Sequence, residues 1–182
     1  DHRDLHSFPT RRSSDLGEVD LRYMDESGFC LVPYLPYAWQ ELGETLGLPS
    51  QRSKRLNVLG LMNRNNDLTP YVFEKSITSE VVIACIDDFS RTCRQRTVIA
   101  MDQASVHRSD AIKEKIDEWN AKNIEIFWLP PYSPQLNLIE ILWRFMKYEW
   151  IDFEAYESWE ALVRYVEKVL NGFGEDYVIN FG

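Results

Sequence analysis

The chain has no apolar run approaching the roughly 20 residues that a bilayer-spanning helix needs, and no secretory leader core. Cysteine is scarce: three residues (Cys30, Cys85, Cys93) in 182, none of them in a CxxC pair. That argues against a disulfide framework or a thiolate zinc site as the organising device, and it suits a reducing compartment. Positive charge is short as well, with a net charge of −9. Such a balance argues against a domain that grips nucleic acid by bulk electrostatics. There is no internal repeat, no low-complexity tract, and no Ser–His–Asp or Cys–His set of the kind that forms a covalent intermediate. What is present is a chain of one-domain length, 45% hydrophobic and 13% aromatic, which is the composition of a globular domain with a sizeable core.

One stretch organises the rest: Leu129 to Lys147, LPPYSPQLNLIEILWRFMK. Pro130, Pro131 and Pro134 make a stiff arm that fixes where the following helix starts. Leu136, Ile139, Trp143, Met146 and Trp150 recur at helical steps and form one apolar stripe. Glu140 lies beside that stripe, with Arg144 and Lys147 further along its own ridge. Two readings of Glu140 compete. Asn137 and Glu140 have the spacing of a capping box, and an acid with cations on its own ridge also suits a phosphate-handling site. Tyr132, in the arm, either packs or touches a ligand such as DNA.

Residues 1–16 are polar and aperiodic, and DLHSFPTRRSSDL resembles the translation of a sequencing-adaptor oligonucleotide. They are expected to be a non-native or disordered leader, with a single domain over residues 17–182. From Glu18 alternation predicts a strand ending at Asp25, a turn at Ser27-Gly28 and a short partner strand over Phe29 to Val32. Residues 33–50 read as loop, with room for one short strand. Strands are predicted over Arg55 to Met62 and Leu68 to Phe73, a helix over Ser79 to Cys93, and a strand buried on both faces at Thr97 to Met101. A helix over Ser109 to Lys122, a strand over Ile124 to Leu129 and a closing helix over Glu157 to Leu170 complete the pattern. The class is α/β: a mixed sheet covered by helices.

Three acids stand at comparable places in this scheme: Asp25 after the first strand, Asp102 after the buried strand, and Glu140 at the start of the next helix. Functional groups gather at the carboxyl ends of parallel strands, and three neighbouring carboxylates call for a cation. Mg²⁺ favours oxygen ligands and bridges to phosphate. Each Asp also has a plain alternative, as a turn or a cap. Glu26 is either an accessory acid or, as alternation has it, turned away from Asp25. His107 either contacts DNA, positions Asp102, or sits satisfied in a loop.

The blocks YMDESGF, IAMDQASVHRS and LPPYSPQLNLIEILWRFMK together resemble the three catalytic blocks of DDE transposases, most closely the bacterial insertion-sequence branch of the mariner superfamily. The resemblance runs from Glu18 to Gly182. It implies a ribonuclease H-like fold, a five-stranded sheet of three antiparallel strands followed by two parallel ones, flanked by helices. It also implies Asp25, Asp102 and Glu140 as catalytic metal ligands, with Mg²⁺ as cofactor and Mn²⁺ as substitute. The implied activity is cleavage of DNA at terminal inverted repeats and transfer of the 3′-OH ends into target DNA. A homodimer would work in the bacterial cytoplasm, with a helix-turn-helix region upstream that this chain lacks. Gln103, Gln135 and Leu138 depart from the family's usual residues, which puts fine positioning in question while the acids are kept. Candidate DNA contacts are Arg52, Lys54, Arg55, Arg64, Arg91, Arg94, Arg144, Lys147 and His107. The rival readings are a ribonuclease H-like nuclease that cuts without joining, and a silent DNA-binding remnant.

Overall fold

A computed structural model describes residues 13–32 and 54–181. The loop reading of 33–50, the DNA contact assigned to Arg52 and most of the expected leader lie outside the described residues. The elements are β1 (Asp20–Phe29), β2 (Leu56–Met62), β3 (Leu68–Phe73), α1 (Ser79–Ser90), β4 (Thr97–Met101), α2 (Asp110–Ala121), β5 (Ile124–Trp128), α3 (Ile139–Phe145) and α4 (Trp159–Gly172). The predicted elements recur with ends shifted by a few residues, except in the first strand.

The strands form one sheet in the order β3-β2-β1-β4-β5. β1 pairs antiparallel with β2, and β2 with β3, while β4 lies parallel to both β1 and β5. β3 carries Pro70 within its span, which is tolerated because β3 is an edge strand. β4 is buried along its whole length, as a strand covered on both faces must be.

The first strand differs from expectation. No turn forms at Ser27-Gly28. β1 continues through it, with Ser27 opposite Val58, Gly28 opposite Asn57 and Phe29 opposite Leu56. A Cβ on Gly28 would collide with the guanidinium of Arg55. The glycine therefore marks a side chain crossing close over the strand rather than a reversal of the chain. Asp25 accordingly sits in the middle of a ten-residue strand, not at its end.

Helices cover both faces. One core joins Leu21, Tyr23, Val58 and Ala100 of the sheet to Ile139, Leu142 and Trp143 of α3 and Leu162 and Val166 of α4. The other joins Met24, Leu59, Leu61, Ile99 and Met101 to Val82, Ile86 and Phe89 of α1 and Ile112 and Trp119 of α2. Period two sends odd and even residues of β1 to different cores, so Asp25 faces α3 and Glu26 faces the α1–α2 side.

α3 approaches the sheet over Gly60, which is opposite Asp25 in register. A Cβ there would lie 2.8 Å from Ile139 Cδ1 and 3.1 Å from the Trp143 ring. Gly60→Val is expected to destabilise the domain by about 1–3 kcal/mol through overpacking, read as a lower urea midpoint at unchanged slope.

Candidate active site

The sheet itself brings two of the acids together. The last β1–β4 pair is Met24 with Met101, so Asp25 and Asp102 follow side by side where β4 ends. α3 brings the third. Asn137, buried at 3% exposure, donates from Nδ2 to the Met24 carbonyl at 3.0 Å. Trp143, one turn beyond Glu140, donates from Nε1 to Asp25 Oδ2 at 3.1 Å. These two bonds tie the start and middle of α3 to the residues flanking the first acid.

The capping-box alternative for Glu140 does not hold. The N-cap position of α3 is Leu138, and no side chain caps it. Asn137 faces the sheet instead, and its Oδ1 is buried without a protein partner. Glu140 is exposed, and its carboxylate makes no hydrogen bond among the described residues. Glu140 and Asp102 line one cavity of about 350 Å³, together with Arg108, Asn137 and the proline arm.

The acids sense one another electrostatically. Burial pushes the Asp25 carboxyl up to about 8, helped by repulsion from Glu140, Glu26 and Asp102. Glu140 is also raised, by desolvation and by Asp102, against the pull of Lys147. Asp102 goes the other way: the hydrogen bond from His107 holds it below the usual carboxylate range.

The fit to a cation has two sides. The donors are all oxygen, they repel one another, and Asn137, whose buried Oδ1 has no partner, lines the same cavity as Asp102 and Glu140, which suits Mg²⁺. Among the described residues, however, no group of three or more His, Cys, Asp or Glu side chains is close enough to share a metal ion. The expectation that the three carboxylates gather around one cation is therefore not met by these side-chain positions. The physical reason is that Asp25 accepts from Trp143 and Asp102 accepts from His107 and Ala104, while like charges keep apart. The backbone placement and donor chemistry fit; the rotamers are engaged with protein partners.

His107 is 0% exposed, so it offers nothing to DNA. Its Nδ1 lies 2.6 Å from Asp102 Oδ1 and its Nε2 lies 2.9 Å from Glu26 Oε1. Its two carboxylate partners raise it to about 10 against the opposing effect of burial, which favours the imidazolium that can donate to both.

The candidate cations divide. Arg144 and Lys147 line a groove beside Glu140, with the Lys147 ammonium 5.8 Å over the Phe29 ring. Arg55 lines a cavity with Glu26. Lys54 sits 5.6 Å over the Trp159 ring. Arg64, in the β2–β3 turn, donates to the Phe181 carbonyl at 3.1 Å. Arg91 and Arg94 lie between α1 and β4, at the end of β4 remote from Asp102. The structure thus brings Arg55, Arg144 and Lys147 near the acids and leaves Arg64, Arg91 and Arg94 at the opposite end of the sheet.

Sequence reasoning missed Arg108, exposed at the cavity, and the roles of Asn137 and Trp143. Trp143 stands at i+3 from Glu140, the helical neighbour position, which was the available signal. Tyr132 is fully exposed (101%) with φ of 55°, an unusual backbone state for a bulky residue. It does not pack.

The five-stranded mixed sheet covered by helices on both faces defines an α/β class, and comparison with known proteins gives it a family. The family model described as DDE superfamily endonuclease matches residues 20–163, and the chain belongs to that family. The uncharacterised protein y4pE/y4sA of Sinorhizobium fredii is 32% identical over 66 residues, 36% of this chain and 44% of that one. The Mos1 transposase paired-end complex with left transposon end superposes with a TM-score of 0.63 at 16% identity, over 93% of this chain and 52% of that one. The catalytic domain of Mos1 mariner transposase gives 0.57 at 15% identity, over 93% and 78%. Mos1 paired-end complexes with Mn and with Mg also match. These likenesses establish the ribonuclease H-like fold. The chain spans about half the length of the whole Mos1 chains and of the curated relative it matches.

The raised Asp25 makes a testable contribution to stability. Above pH about 4 the unfolded chain releases this proton while the folded metal-free chain keeps it, so stability falls as pH rises towards about 8 and then levels. In EDTA, Asp25→Asn is expected to remove that fall and raise Tm at pH 8.5 by several degrees. Each kcal/mol moves the midpoint of a domain this size by about 2–4 °C. Identical pH profiles for the two proteins would mean that Asp25 ionises freely.

Proposed function

We propose that this chain is the catalytic domain of a transposase, cleaving DNA phosphodiester bonds at transposon ends and transferring the 3′-OH ends to target DNA. The observation that supports the reading is the β1–β4 register, which sets Asp25 beside Asp102, with Glu140 lining the same cavity as Asp102. Family membership supports the endonuclease half. The joining half rests on the resemblance to transposases.

In this reading Asp25, Asp102 and Glu140 hold Mg²⁺, or Mn²⁺ in its place. When bound, the metal supplies charge neutralisation for an in-line displacement at phosphorus. The chain's own residues do the rest. Trp143 orients Asp25, and the Asn137 tether keeps α3 against β1. Arg144 and Lys147, along the ridge from Glu140, contact the DNA backbone, and Arg55 and Arg108 extend that surface. Tyr132 presents its ring to a base at the rim of the cavity. A homodimer brings two ends together, and recognition of the terminal repeats belongs to another part of the whole protein.

Incubated with supercoiled plasmid, the chain is expected to nick in Mg²⁺ or Mn²⁺ and to stop on addition of EDTA. Asp102→Asn and Glu140→Gln are expected to lower nicking by about a hundredfold or more. A labelled duplex with a free 3′-OH should become joined to the plasmid. Nicking without joining would leave a hydrolytic nuclease, and a folded chain without metal-dependent cleavage would leave a DNA-binding remnant.

Tyr132→Ala is expected to weaken DNA binding, measured by fluorescence anisotropy with a short single-stranded oligonucleotide, by about fivefold or more, the scale of one lost base stack. Tm should not change, because nothing packs on the ring.

A further inference from the structure

The environment of Asp102 carries an inference that deepens the three-acid reading and rests on it. Two donors converge on a single oxygen of this carboxylate. Ala104 N–H reaches Oδ1 at 3.0 Å and His107 Nδ1 reaches the same atom at 2.6 Å. Oδ2 accepts no hydrogen bond among the described residues, in a side chain that is 51% exposed and lines the cavity shared with Glu140. His107 is in turn held from behind, by Glu26 at 2.9 Å. An imidazole bonded through one nitrogen still swivels about its ring axis, and a bond at the second nitrogen fixes it.

We infer that His107 is a positioning residue for Asp102: anchored by Glu26, it holds Oδ1 towards the protein and leaves Oδ2 for a divalent cation.

Two features set this apart from loop stabilisation. The Ala104 N–H bond already closes the turn at Asp102 without the histidine. Burying a charged cluster is also a weak way to stabilise a fold, since apolar side chains of similar volume do as well or better. Glu26 follows Asp25 directly in β1 but faces the opposite side of the sheet. The same strand thus presents one acid itself and sets the orientation of a second through the histidine.

The test is Mn²⁺ binding to the metal-free 182-residue chain, followed by electron paramagnetic resonance of the free ion, with Tm recorded in parallel. His107→Leu is expected to weaken Mn²⁺ binding about tenfold or more, the range seen when outer partners of metal ligands are removed. Glu26→Gln should weaken it by a smaller factor. The double variant should bind no more weakly than His107→Leu alone, because both changes break one chain of contacts. A purely structural histidine would lower Tm and leave Mn²⁺ affinity unmoved. If His107→Leu does not fold, His107→Asn and Glu26→Gln carry the same comparison. Binding that is lost in Asp102→Asn yet unchanged in the folded His107 and Glu26 variants would overturn the clamp and leave the three-acid reading standing. Absence of Mn²⁺ binding by the unaltered chain would overturn both.

Discussion

The docking of α3 on the central strands is the constraint from which the rest of the site follows. A helix can deliver Glu140 to Asp25 only if it lies close to the sheet, and at Gly60 α3 comes so close that an added Cβ would clash with Ile139. Two polar contacts then fix its position along the strand: Asn137 to the Met24 carbonyl and Trp143 to Asp25. Both partners flank or include the first acid. The apolar stripe Ile139, Leu142, Trp143 and Met146 supplies the attraction, which is non-directional. The two hydrogen bonds supply direction, since an unpaired buried amide or indole N–H is costly.

Strand register does the corresponding work for Asp102. β1 and β4 are parallel neighbours, and one residue past their last pair the two aspartates stand adjacent. Parallel pairing thus places at one edge two carboxylates that are far apart in sequence. The consequence is strain of an electrostatic kind: burial and three neighbouring acids hold Asp25 in its protonated form near neutral pH. Buried, mutually repelling carboxyls of this kind lower the stability of the metal-free fold as the pH rises, and a strongly shifted acid is the sort of group a cation would suit.

The parts of this architecture written in hydrophobic periodicity were legible in the sequence. Thr97 to Met101 reads as a doubly covered strand because it is a short continuous apolar run, and alternation puts Asp25 on the face carrying Val19, Leu21 and Tyr23, which the structure shows to be the α3 face. The parts that depend on single side chains were not legible. Gly28 has the local chemistry of a turn, and only the tertiary path of Arg55 explains it as a strand residue. Asn137 has the spacing of a cap, yet the carbonyl it serves is 113 residues away. The basic clusters illustrate the same limit: Arg91 and Arg94 are as basic as Arg144 and Lys147, but the direction of β4 puts them at the wrong end. Charge is visible in a sequence; the end of the sheet it occupies is a property of topology.

The three acids also differ in how firmly they are held, and the difference follows the two faces of the sheet. Asp25 is restrained from the α3 side by Trp143, and Asp102 from the α1–α2 side by His107. Glu140 has no hydrogen bond among the described residues and stands exposed on a rigid helix. Two carboxylates fixed from opposite sides and a third free to rotate make an asymmetric set. In the proposed metal-binding role the fixed pair would set the location of the cation, because their oxygens cannot follow an ion that moves. The free one adapts, since a glutamate on a helix samples several staggered rotamers without moving its backbone. The asymmetry originates in the sequence. An Asp on a strand has a short side chain that neighbouring strands and loops can grip, whereas a Glu on the solvent-facing ridge of an amphipathic helix has partners only on its own ridge.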